Sequence, residues 1–100
     1  MIQKANEVAK ITDNAIDKRA REFIVNTFGP IIIKRAEEGR KDASVDLIKS
    51  GMDYSIACIV GAKIKSILEN EFDYVVEFIN SSNHYDETAF ICAQWGYALR

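Results

Sequence analysis

The chain has 100 residues, of which 48% are apolar, 28% charged and 10% aromatic, with a formal net charge of -2. That is the size of one small domain, which we expect to span residues 1–100, with a thin core and no room for a second. The apolar content and weak net charge exclude disorder as the main state, and no apolar run approaches the roughly 20 residues of a membrane-spanning helix. Residues 1–10 (MIQKANEVAK) alternate polar and apolar, so no secretory leader is expected there.

Residues 3–27 read as an amphipathic helix. Ile2, Ala5, Ala9, Ile16, Ala20, Phe23 and Ile24 recur at steps of three and four, with Thr12 filling one turn. Such a stripe must pack on the domain or on a partner chain. Phe28-Gly29-Pro30 then interrupts the pattern: Gly29 suits a left-handed helix end and Pro30 the first turn of a second helix, about 30–38, ended by Gly39. One kinked continuous helix is the alternative. Residues 43–48 (ASVDLI) alternate as a half-buried strand and 49–51 form a turn. Asp53 is the expected N-cap of a helix over 54–69, where Ala57 and Gly61 form a small-residue face suited to close packing on a sheet. Residues 72–80 and 88–97 read as strands joined by the polar segment 81–87, most simply as a hairpin. The expected fold class is therefore α+β: an N-terminal helical part (1–39), kinked or paired at Phe28–Pro30, before a strand–helix–strand–strand core (43–97) with a small three-stranded sheet. Apolar groups on both faces of the last two strands point to homo-oligomerisation, through the sheet, its edge or the long helix.

Charge and cysteines narrow the chemistry. Lys+Arg exceed Asp+Glu by two in residues 1–50 and fall short by four in 51–100. The overall pI of about 5.4 lacks the basic excess of a dedicated nucleic-acid binder. The basic residues cluster as Lys18, Arg19, Arg21 and as Lys34, Arg35, Arg40, Lys41, both interrupted by acids. We read them as solvated helix faces, with an anion- or nucleic-acid-facing patch as the alternative. Cys58 and Cys92 lie in apolar segments and behave as small core residues in a reducing compartment. The five dispersed glycines form no phosphate loop.

No catalytic constellation emerges. His84, the single histidine, sits among Ser81, Ser82, Asp86 and Glu87. Neighbours in one loop rarely hold a nucleophile and its base in the geometry they need. His84, Asp86 and Glu87 read as an exposed turn rather than a metal site, and Glu37 and Glu38 point about 100° apart on a helix. We expect no enzyme activity, no metal and no cofactor. Tyr74, Tyr85, Trp95 and Tyr97 could form a base-stacking platform, but their surroundings are acidic, which favours packing of these rings in a core or interface.

The run IIIKRAEEGRKDASVDLI (31–48), a helix ending in an Ala-Glu-Glu-Gly turn that leads into a short strand, is followed by a helix and an aromatic hairpin ending near Trp95. Over about residues 30–97 this resembles small accessory proteins of bacteriophages and prophages. The resemblance implies a viral or mobile-element setting in the host cytoplasm and carries no site residues. The expected function is thus non-enzymatic binding to a host or viral protein, as inhibitor or adaptor. The expected contact residues are the exposed Asp73, Glu77, His84, Tyr85, Asp86, Glu87 and Trp95. The alternatives are a minor structural component of a virion, through the long helix, and a nucleic-acid or nucleotide binder using the basic clusters.

Overall fold

The computed structural model describes residues 2–83 and 86–96. The order of elements is α1 (Ala5–Phe23), a π-helical turn (Ile24–Phe28), α2 (Gly29–Glu37), β1 (Asp42–Asp46), α3 (Tyr54–Phe72), β2 (Val75–Ser82) and β3 (Glu87–Gln94). The three strands form one antiparallel sheet in the order β1-β3-β2. This is the expected α+β architecture.

The leading helices are one helix, not a pair. Gly29 has φ -54°, in the right-handed region, so the expected left-handed break is corrected to a continuous path through a widened turn. The cause is local. Pro30 has no N–H to donate, and in a regular helix its ring would press on the carbonyl of Asn26. The π turn takes up this conflict: Gly29 donates its N–H to the Ile24 carbonyl five residues back. A Cβ on Gly29 would lie 2.8 Å from that same oxygen, so glycine is what permits the turn. The extra residue also resets the helix phase. Ala20 and Phe23 are buried, and the next buried positions are Phe28 and Ile32, whereas Thr27 and Ile31 are only half-buried.

The second half departs from expectation mainly at its boundaries. β1 begins and ends earlier than residues 43–48, because Leu47 and Ile48 already enter a turn closed on Asp46: its Oδ1 accepts from Ile48 N at 2.9 Å and Lys49 N at 3.2 Å. Asp53 caps α3 as expected, its Oδ1 accepting from Ile56 N at 2.9 Å. The helix, however, runs to Phe72, which removes Phe72 from the strand. Asp73 adopts φ 61°, and both its N–H and that of Tyr74 return to the Leu68 carbonyl, an end normally made with glycine. The strand therefore starts at Val75. The 88–97 strand is Glu87–Gln94; Tyr97 lies outside the described residues.

The helices cover one face of the sheet. Val76, Ala89, Ile91, Ala93 and Ala43 point inward and are buried with Ala57, Val60, Ile64 and Leu68 of α3. Gly61 lets the Phe78 ring approach the helix: a Cβ there would stand 2.4 Å from its Cζ. Val75, Ile79, Phe90 and Cys92 occupy the other face, which none of the described helices covers. At the opposite end, every described residue before Ile16 is exposed. The first turns of α1 thus project from the body, and the principal extents of the whole are 55 × 35 × 24 Å.

Candidate protein-docking surface

The π turn makes a groove of about 620 Å³. Its floor is Ile32 and Leu68 and its walls are Ile24, Val25, Pro30, Ile33, Phe72 and Tyr74, with Lys34 and Glu37 on the rim. Widening the helix at Ile24–Phe28 turns Val25 outward, and Val25, Ile33 and Phe72 are 71%, 59% and 54% exposed. The late end of α3 supplies Phe72, which the expected strand boundary had placed elsewhere. Lys34 and Glu37, one turn apart, have no ion-pair partner in the described chain. Sequence reasoning missed this groove; the available signal was the five-residue interval from Phe23 to Phe28 just before Gly29-Pro30.

The expected contact residues do not form one patch. Asp73 closes α3, Glu77 lies exposed on the open sheet face, and Asp86 and Glu87 lie at the hairpin end. With about 3.3 Å per strand residue, the intervening β2 keeps the first and last of these well apart. His84 and Tyr85 fall outside the described residues. Trp95 is corrected from exposed to half-buried: it packs on the core and meets Tyr74 edge-on, with centroids 6.1 Å apart and planes at 89°.

The basic clusters are partly neutralised within the chain. Arg21 donates to both carboxylate oxygens of Glu71, at 2.9 and 2.6 Å, and to Asp17 at 3.0 Å. These bonds raise the Arg21 guanidinium further and hold the Glu71 carboxyl below its ordinary value. Arg35 bonds Asp42 at 3.1 Å, and Lys18 reaches Glu22 at 4.0 Å. Arg19 and Arg40 are exposed, Lys34 belongs to the groove, and Lys41 lies beside Gly96. The two clusters lie on either side of the π turn and do not converge.

Both cysteines are free and half-buried. Burial pushes the Cys92 thiol up, aided by Asp42 and Glu77 nearby, which disfavours a reactive thiolate. A hydrogen bond with Cys58 raises the Tyr54 hydroxyl. Among the described residues, no group of three or more His, Cys, Asp or Glu could hold a metal ion, and no helix is long and apolar enough to cross a membrane. Comparison with protein-family models, with curated proteins and with solved structures finds no match.

Proposed function

We propose that this chain acts by docking on another protein rather than by catalysis, in the setting its phage-like pattern implies: an inhibitor or adaptor of a host or viral protein. The observation that carries this reading is the apolar groove at the π turn, open to solvent along Val25, Ile33 and Phe72. Its occupant is an amphipathic helix of the partner, anchored by apolar residues at steps of three and four. Lys34 and Glu37 offer that helix one charge of each sign, a turn apart.

Capture with the tagged chain tests this. Val25→Asp and Ile33→Asp alter exposed positions, so the fold should survive, and each should lose the bound partner. Variants that retain the same partner at the same yield would contradict the reading. A second reading, a minor component of a virion, is favoured by the projecting start of α1, where Val8 and Ile11 are exposed. Truncation of that projection would then abolish co-assembly while leaving the groove's partner bound.

A further inference from the structure

β2 is an outer strand, and its hydrogen-bonding phase can be read from fixed points. Asn83 N donates to the Asp86 carbonyl at 2.9 Å. Along the register, Val75, Glu77, Ile79 and Ser81 therefore exchange backbone bonds with β3. The N–H and C=O groups of Val76, Phe78, Asn80 and Ser82 point away from the sheet. Lys65 Nζ, which reaches the Val76 carbonyl at 3.0 Å, agrees with this phase and closes that position. The opposite edge is treated differently. In β1 the outward carbonyl of Asp42 accepts from Arg35 Nε at 3.2 Å, and that of Asp46 accepts from Ser50 N at 3.1 Å and Ser50 Oγ at 2.9 Å. The outward carbonyls at both ends of β1 are taken, while on β2 the outward groups from Phe78 to Ser82 have no partner among the described residues.

Open edges are usually blunted by lysine, proline or a bulge. β2 has none of these, and Glu77 is its single charged residue. We propose that a second copy of this chain pairs here, β2 against β2 and antiparallel, about a two-fold axis through Ile79. Phe78 of each copy then exchanges both backbone bonds with Asn80 of the other. Ile79, 51% exposed in the single chain, meets its own copy on the open sheet face. Glu77 falls opposite Ser81, whose hydroxyl shares a 2.7 Å hydrogen bond with Thr88 Oγ1 and can donate to the carboxylate. The charges select this register. Moving the axis to Phe78 sets the Glu77 carboxylate against Ile79, and moving it to Glu77 sets two carboxylates face to face. Moving it to Asn80 sets Ile79 against a serine. The contact is isologous, so it closes at two copies and leaves a six-stranded sheet.

Light scattering on the full chain over a concentration series tests the pairing. The expected mass is twice 11.3 kDa. Asn80→Pro removes an outward N–H that β3 does not use, and Ile79→Lys places two like charges at the axis; each should fall to the single-chain mass with its circular dichroism unchanged. Mixing Ile79→Lys with Ile79→Glu should restore the doubled mass, while Ser44→Pro on the other edge should leave it alone. Should Asn80→Pro fail to fold, the lysine–glutamate pair still decides. A wild-type chain that stays at single-chain mass throughout, or an Ile79→Lys chain that stays doubled, would overturn the proposal.

Discussion

Gly61 and Phe78 face each other with no space for a methyl group between them. In an exposed helix, Gly→Ala gains about 1 kcal/mol, but overpacking a core costs about 1–3 kcal/mol. Gly61→Ala should therefore lower stability by about 1 kcal/mol in urea unfolding, and Phe78→Leu should remove most of that penalty in the double variant. A stabilising Gly61→Ala would show that the ring moves aside freely. Asp73 presents the opposite case: a non-glycine residue at φ 61°, a conformation that costs an L-residue about 1–2 kcal/mol. Asp73→Gly should raise stability, by up to about 1 kcal/mol once glycine's greater freedom in the unfolded chain is deducted. The Arg21–Glu71 pair makes stability depend on pH. Arg21 holds the folded-state carboxyl of Glu71 below its unfolded value, so its contribution is present above the unfolded value, near 4.3 for a glutamate, and is lost as pH falls through the lower folded value. Glu71→Gln should flatten the acid limb of an unfolding-against-pH curve. At this scale the sequence was legible where chemistry is local. Asp53 could be read as a cap because an Asp before an apolar helix does one thing. Asp73 could not, since the same residue equally suits a loop or an exposed strand position, and the decision came from the Leu68 carbonyl.

Among the elements, the long helix depends on one irregular turn. Three successive helical segments of 19, 5 and 9 residues join end to end, roughly 50 Å at 1.5 Å per residue. The π turn keeps this rod continuous through a proline and re-aims Phe28 and Ile32 at the core. Gly29→Ala should destabilise by about 1–3 kcal/mol despite alanine's better helix propensity, since its Cβ would press on the Ile24 carbonyl. An unchanged urea midpoint would mean that the turn relaxes to a regular helix at no cost. The sequence announced a break at Phe28–Pro30 but could not choose between a hairpin and a kinked rod. Both use glycine and proline, and the choice rests on whether Phe28 finds a core on the same side as Phe23. The strands were legible as elements from their alternation, and the hairpin from their adjacency. Their starting residues were not, because Phe72 satisfies a helix stripe and a strand pattern equally well.

For the whole molecule, shape separates the parts that hold the fold from those left to bind. The Cα radius of gyration is 15.2 Å, against about 13 Å for a compact chain of this length. The excess reflects the projecting start of α1. Amides of residues 5–15 should exchange with solvent much faster than those of 57–68 in the isolated chain, because a free helix of this length is marginal in water. Equal protection would mean that the projection is covered in solution. The composition made surplus apolar surface legible, but not its place. The expected acidic contact set spread along β2, while the apolar residues around the π turn gathered into a groove. The measurement that tests the docking account most directly is a photo-crosslinking scan of the chain in its native cell extract, with the probe at Val25, Ile33, Ile79 and, as a control, Lys49. The account predicts that Val25 and Ile33 yield the same discrete partner adduct, that Ile79 yields a dimer of this chain, and that Lys49 yields neither. Adducts at Val25 and Ile33 no stronger than at Lys49 would contradict it.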